Sequence, residues 1–235
     1  MLLLGGGLLR LAFTGDYLDY VKPSALWLIV PAGFVLVTVA AVTVRGVWRE
    51  RPDSGPGGHD AVHGDEGHGH GEPKVAWLLL APVVGMLLVA PGALGSYDAE
   101  NSGTAVGSEA SRSSYPELPD EDPVPLALLD YAARAVFDEG RTLEGRRVRL
   151  SGFILYGDGE AQLARMVVSC CAADARPVKI GLDGDVPPGL ESEQWVEIVG
   201  GYSPRRGRDE INGELIPYIA VESVAHIDVP DNQYQ

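Results

Sequence analysis

The chain has 235 residues and a formal net charge of −15 at pH 7, and most of the excess lies from Asp98 onward, where 25 acidic residues outnumber 12 basic ones. Such an acidic chain is unsuited to binding the phosphate backbone of nucleic acids, which requires clustered lysine and arginine. Its two cysteines are adjacent, so they cannot form the framework of well-separated disulfides that staples small secreted domains.

Two long segments without a charged residue predict helices that cross a lipid bilayer, namely Pro23–Val44 and Val75–Tyr97. Each reaches the ~20 residues that a helix needs to cross ~30 Å of hydrocarbon. A spanning helix satisfies its own backbone hydrogen bonds and tolerates prolines such as Pro31 and Pro82 as kinks. A pair of buried helices in a soluble protein is the weaker interpretation, because core helices normally keep a polar stripe.

The first residues, 1–13, are apolar but short, and they include Arg10. They lack the basic start and the small-residue cleavage site of a signal peptide. We therefore interpret residues 1–13 as the second half of a third span, which begins upstream of Met1.

Basic residues predict the orientation of these spans. The segment 45–74 contains four of them, whereas the short link 14–22 contains one, with two aspartates. Because lysine and arginine accumulate on the cytoplasmic side, residues 45–74 are predicted to lie in the cytoplasm. The sequence thus predicts a multi-pass protein of the cell membrane, with its membrane region over residues 1–97. The part of the chain that follows is predicted to be extracytoplasmic.

The remainder divides into a linker and a β domain. Residues 98–124 are rich in Ser, Gly, Pro, Asp and Glu, which predicts a flexible acidic linker. Residues 126–139 have apolar positions at helical spacing, and Gly140 follows as a C-terminal cap. Five strands are predicted after that, at 147–156, 163–170, 178–182, 194–202 and 216–227.

Five short strands with one flanking helix favour a small all-β domain over residues 125–235, an OB-like barrel. A β-sandwich is the alternative.

The run SCCAADA, residues 169–175, stands at the end of the second predicted strand. Successive strand residues point to opposite faces, so Cys170 and Cys171 converge on one ion only if the chain turns here. With Asp174 they would supply two thiolates and one carboxylate, and His226, the only histidine of this domain, is the candidate fourth zinc ligand. Two other interpretations stay open: cysteines packed as small apolar residues, and a strained vicinal disulfide.

Four of the five histidines lie in the predicted cytoplasmic loop 45–74, at His59, His63, His68 and His70. Imidazoles suit zinc, copper and nickel, and His-rich tracts in loops indicate metal capture. A solvated low-complexity linker is the alternative.

No pattern predicts catalysis. The chain has no Walker loop, no GxSxG elbow and no HExxH motif, and its two complete predicted spans, Pro23–Val44 and Val75–Tyr97, carry no charged residue that could relay ions. We expect no enzymatic activity, and two or three spans are too few to form a carrier alone.

The segments LEGRRVRLSGFIL, LARMVVSCCAADARPVKIGL and QWVEIVGGY follow apolar helices and a polar loop. In this order they resemble the YcgQ-like permease-subunit family of bacterial membrane proteins, most closely at ARMVVSCCAADARP. The resemblance implies that the chain assists a larger multi-spanning permease, with Cys170, Cys171 and Asp174 as functional residues.

We therefore expect an accessory subunit of a bacterial permease that handles a transition-metal ion such as zinc. The alternative is a non-catalytic envelope interaction module whose vicinal cysteines are structural or redox-active.

Overall fold

The structure, a computed structural model, describes residues 2–49, 85, 92–109, 115–157 and 159–235. The chain divides into two compact units. The first contains Met1–Gly15 and Leu26–Gly92, and its described elements are helices. The second contains Asp16–Ala25 and Ala93–Gln235 and is built around a β-barrel.

Two helices form the described part of the first unit, α1 (Leu2–Thr14) and α2 (Leu26–Arg49). Glycines bring them close together. A Cβ added to Gly5 would lie 2.9 Å from the side chain of Val37, and one added to Gly33 would lie 2.8 Å from Leu9. Small residues at a helix crossing let two backbones approach closely, which is a common way for helices to pack in lipid.

Within the described residues, one helix is long and apolar enough to cross a membrane, Pro23–Gly46, with a mean hydropathy of 2.4. Only 11% of its most apolar window is buried, and large side chains such as Trp27 and Phe34 are exposed. A core helix of a soluble protein would bury these groups. This helix is therefore a candidate membrane helix, and it coincides with the first predicted span, whereas most of Val75–Tyr97 lies outside the described residues.

The second unit contains three α-helices, four 3-10 helices and six strands among its described residues. The α-helices are α3 (Ser96–Glu100), α4 (Val106–Glu109) and α5 (Leu128–Phe137), and the 3-10 helices are Asp16–Asp19, Pro23–Ala25, Arg141–Leu143 and Ala172–Asp174. The strands are β1 (Val124–Pro125), β2 (Val148–Gly157), β3 (Glu160–Val167), β4 (Arg176–Gly184), β5 (Trp195–Arg208) and β6 (Leu215–His226).

Strands β2 to β6 form a closed barrel. β3 pairs antiparallel with both β2 and β4, β4 pairs parallel with β6, and β6 pairs antiparallel with β5. An antiparallel β5–β2 ladder closes the circle, and β1 adds a short parallel pairing to β2. The predicted barrel is confirmed, and the sandwich alternative is wrong, because the β5–β2 ladder joins the two ends of the strand order β2-β3-β4-β6-β5.

The barrel interior is filled by the alternating side chains that the sequence indicated. Val148, Leu150 and Ile154 of β2 are fully buried in it. Helix α5 packs on this core through Leu128 and Tyr131, and the Tyr131 hydroxyl donates a hydrogen bond of 2.7 Å to a carbonyl of β6. The predicted flanking helix is thus present.

The segment expected to be a flexible linker, 98–124, is packed on the barrel where the structure describes it. Thr104, Ala105 and Val106 are fully or almost fully buried. The Thr104 N–H donates to the carboxylate of Asp209 at 3.1 Å, and that carboxylate also pairs with Lys179 at 2.9 Å. The polar composition of this segment predicted flexibility. Its backbone is ordered at Thr104 because Asp209, in a buried ion pair of the barrel, accepts a hydrogen bond from it.

A second apolar cluster covers the outer face of the barrel at β2 and β3. Ala93, Leu94 and Ala99 pack there together with Trp195 and Tyr234. The Leu94 N–H donates a 2.9 Å hydrogen bond to the hydroxyl of Tyr234. Residues 93–97, which we predicted as the end of the second span, are therefore part of the barrel unit, where the apolar side chains of Ala93 and Leu94 are packed.

Candidate metal site at the end of strand β3

The cysteine pair lies in a turn between β3 and β4. β3 ends at Val167, earlier than the predicted strand, and the 3-10 helix Ala172–Asp174 follows before β4 begins at Arg176. Since the strand does not continue through Cys170 and Cys171, their side chains are not forced to point to opposite faces of a sheet.

Asp174 organises this turn. Its carboxylate accepts hydrogen bonds from the backbone N–H groups of Ser169 at 2.6 Å, Cys170 at 2.8 Å and Cys171 at 3.3 Å. Aspartate suits such a position because its short side chain reaches backbone donors of its own turn. The hydrogen bond from the Cys170 thiol, followed by the backbone donors, lowers the pKa of Asp174 to about 2, so this group is a carboxylate at neutral pH.

The two sulfur atoms are 3.6 Å apart, and both cysteines are free thiols. Cys170 is exposed and Cys171 is half-buried. Both Sγ atoms and a carboxylate oxygen of Asp174 lie within 4.8 Å of one another, and among the described residues this is the one group of three such side chains. When two sulfurs bind the same tetrahedral zinc ion at about 2.3 Å, they lie about 3.8 Å apart. The observed distance between the two sulfurs is therefore close to that of a metal site.

The Cys170 thiol is protonated in the metal-free protein. Its hydrogen bond to Asp174, and then its contact with Cys171, raise the pKa of Cys170 to about 11. A bound metal ion reverses this preference, because a thiol that coordinates a metal loses its proton. Metal binding at this turn would therefore release protons.

The turn is also held by the chain segment that precedes α2. Val21 forms an antiparallel bridge with Cys171, and the Ala172 N–H donates to the Tyr20 carbonyl at 2.7 Å. The hydroxyl of Tyr234 donates to the Asp19 carbonyl at 2.9 Å and fastens the same segment. The sequence offered no signal for these contacts, because they join groups that lie far apart in the chain, such as Val21 and Cys171 or Asp19 and Tyr234.

The histidines do not complete this group in the described residues. His226 is exposed at the end of β6, where its backbone pairs with Val196, and it is not among the side chains that cluster with the cysteines. Sharing a domain with the cysteines was insufficient reason to expect it there. The other four predicted ligands, His59, His63, His68 and His70, lie outside the described residues.

Comparison with known proteins finds a family of domains that the C-terminal part of the chain matches. Residues 133–235 match the model of the DUF1980 C-terminal domain, a stretch that contains part of α5, the whole barrel and the cysteine turn. This match is compatible with the YcgQ-like resemblance. A search of curated proteins and a search of solved structures each gave no match.

Proposed function

We propose that this protein is an accessory subunit of a bacterial membrane permease system, whose extracytoplasmic barrel captures a transition-metal ion of the zinc type. The observation that carries the proposal is the convergence of two thiols, 3.6 Å apart, and one carboxylate within 4.8 Å.

The ligand set suits capture and transfer of an ion. Two thiolates favour soft or borderline ions such as zinc and copper(I). Cys170, Cys171 and Asp174 would occupy three positions of a tetrahedral ion and leave the fourth open, as in sites that exchange a ligand. Since the turn is exposed, a partner can reach that open position.

The contacts of the segment Asp16–Ala25 support the predicted topology. This segment and the barrel belong to one compact unit, which supports placing both on the same side of a membrane. The chain between them must then cross the bilayer an even number of times. Helix α2 would supply one crossing. The other would come from the second predicted span, which begins at Val75 and lies mostly outside the described residues. With 45–74 in the cytoplasm, the barrel is extracytoplasmic and the protein is multi-pass.

The partner in this proposal is a larger multi-spanning permease within the lipid bilayer. The resemblance to the YcgQ-like family and the match over residues 133–235 support it. The barrel, with β4 and β6 paired in parallel, is consistent with the OB-like architecture that we predicted. Such small barrels present loops and one open face to ligands and partners.

A thiol redox protein is a second candidate, because the two thiols are adjacent and accessible. Geometry favours metal binding over it. Neighbouring Cα atoms are about 3.8 Å apart across a trans peptide, whereas disulfides prefer about 4.4 to 6.8 Å. A Cys170 pKa of about 11 also leaves little of the reactive thiolate at neutral pH.

The test is metal titration of the reduced, full-length protein in detergent, with His59, His63, His68 and His70 changed to alanine to remove the loop histidines. We expect one zinc or cobalt(II) ion per chain, with a sulfur-to-cobalt charge-transfer band in the near ultraviolet. The Cys170→Ser/Cys171→Ser variant should lose both the binding and the band. Asp174→Asn should weaken binding on the order of tenfold or more.

Equal metal binding by the parent protein and the double serine variant would refute the metal proposal. Serine variants that are less stable, in a protein that binds no metal, would favour the interaction module. A pair of thiols that becomes labelled only after reduction would favour the redox candidate.

A further inference from the structure

A groove on the outer face of the barrel carries two arginines that have no acidic partner among the described residues. It has a volume of about 630 Å³ and lies between the start of α5 and the C-terminal tail. Arg149 and Ser151 of β2, Arg165 of β3 and Glu197 of β5 line it. None of them belongs to the cysteine turn.

Arg165 is held rigidly in this groove. Its guanidinium donates to the carbonyls of Gln233 at 3.2 Å and Asn232 at 2.6 Å, and to the hydroxyl of Ser151 at 3.0 Å. It also lies 5.5 Å from the ring centroid of Trp195. All of these partners are neutral, so the positive charge is oriented but not compensated, and burial lowers the pKa of Arg165.

Arg149 has even fewer partners. Its neighbours across the sheet are Pro125 on β1 and Val199 on β5, and neither has a side chain that can accept a hydrogen bond. Within the part of the chain that the structure describes, its half-buried guanidinium has no hydrogen-bond or ion-pair partner, and its Nε atom is enclosed. Buried polar groups are normally satisfied, so an unpaired guanidinium is unusual.

Glu197 is the acidic residue of the groove, opposite Ser151 in the β2–β5 ladder. None of the ion pairs among the described residues includes Glu197, Arg149 or Arg165. The chain has a net charge of −15, so two cations that share a groove and have no counter-ion in the part of the chain that the structure describes are unexpected.

We propose that this groove binds the oxyanion of a small molecule, a carboxylate or phosphate group, between Arg149 and Arg165. The planar guanidinium fork matches two oxygens of either group. Ser151 accepts from Arg165 and so retains its own hydroxyl hydrogen to donate to the ligand. The start of α5 also lines the groove at Ala127, and the positive end of the helix dipole there favours an anion. The Leu129 N–H of this first turn donates to the side-chain oxygen of Gln235 at 3.5 Å, and Gln235 lines the same groove.

The test uses the full-length protein in nanodiscs of neutral phosphatidylcholine, titrated with inorganic phosphate and with acetate and followed by calorimetry. We expect saturable binding of at least one of the two anions. Arg149→Gln should weaken it about tenfold or more, and Arg149→Lys less, because lysine keeps the charge but loses the fork. Arg141→Gln is the matched control, since that side chain is 76% exposed and lies outside the groove.

Glu197→Gln should change the affinity for the anion in the opposite direction. It keeps both arginines and removes a repelling carboxylate, so it should strengthen anion binding. Nanodiscs with anionic phosphatidylglycerol distinguish the two sources of the oxyanion: competition with phosphate indicates a lipid headgroup, and undiminished phosphate binding indicates a soluble ligand.

Absence of saturable binding in both kinds of nanodisc would overturn the proposal, as would equal affinities of the parent, Arg149→Gln and Arg149→Lys proteins. If Arg149→Gln fails to fold by circular dichroism, the Glu197→Gln result decides. An unchanged affinity in that variant overturns the site.

Discussion

At the scale of single residues, Asp174 determines the state of the cysteine turn. Its carboxylate accepts hydrogen bonds from three backbone N–H groups and from the Cys170 thiol. The backbone hydrogen bonds fix the path of the chain, and the thiol hydrogen bond keeps the Cys170 sulfur protonated. The same carboxylate is the third potential metal ligand.

The ionisation of Cys170 tests this account in the metal-free protein. In a Cys171→Ser background, Asp174→Asn should lower the pKa of Cys170, because the thiol loses its hydrogen bond to a carboxylate and the thiolate is no longer repelled by a negative charge. With the pKa raised from 9.0 to about 11, the stabilising thiol–carboxylate contact is complete below pH 9.0 and is lost as the pH rises through about 11. Alkylation rates measured against pH give the pKa. An identical Cys170 pKa before and after the Asp174→Asn change would contradict this account.

The buried pair of Lys179 and Asp209 is a second test at this scale. The two side chains are 7% and 1% exposed and 2.9 Å apart. Asp209→Asn leaves the ammonium group without a counter-ion, so the free energy of unfolding should fall by about 3–5 kcal/mol in denaturant titrations. A Lys179→Met/Asp209→Asn variant should recover part of the loss. No recovery would mean that the damage does not arise from the unpaired charge.

At the scale of elements, adjacent glycines on β5 make a matched pair. A Cβ on Gly200 would overlap the Ala220 carbonyl oxygen on β6, whereas a Cβ on Gly201 would have its nearest neighbour at 3.9 Å. Gly200→Ala should therefore lower the free energy of unfolding by about 1–3 kcal/mol, and Gly201→Ala should have little effect. Thermal unfolding of the two variants provides the comparison. Equal losses would show that β5 and β6 are not in such close contact.

At the scale of the whole molecule, the proposed topology predicts where thiols can be labelled. A membrane-impermeant maleimide applied to intact cells should label Cys170, which is exposed. In a variant with both native cysteines changed to serine, His63→Cys should be labelled only after the membrane is permeabilised, since loop 45–74 is predicted to be cytoplasmic. Labelling of His63→Cys in intact cells, with Cys170 protected, would reverse the orientation.

Much of the architecture was predictable from short-range patterns. The alternation of Val148, Leu150 and Ile154 predicted a half-buried strand, and all three face the barrel core. The uncharged stretch from Pro23 predicted a long apolar helix. The turn required at the cysteines was also anticipated, because adjacent strand residues cannot converge. In each case the structure depends on interactions between residues that are close together in the chain, so the local sequence is sufficient to predict it.

Contacts between distant segments could be decided only by tertiary structure. The composition of 98–124 predicts a free linker. In the structure, Asp209, which is paired with Lys179, accepts a hydrogen bond from the Thr104 N–H of this stretch. The groove of Arg149 and Arg165 forms because β2 and β3 pair and the C-terminal tail crosses them. Barrel closure likewise leaves His226 apart from the cysteines and sets Val21 against Cys171. Composition and periodicity describe what a segment prefers, whereas its partner across the fold depends on the register of strands far away in the chain.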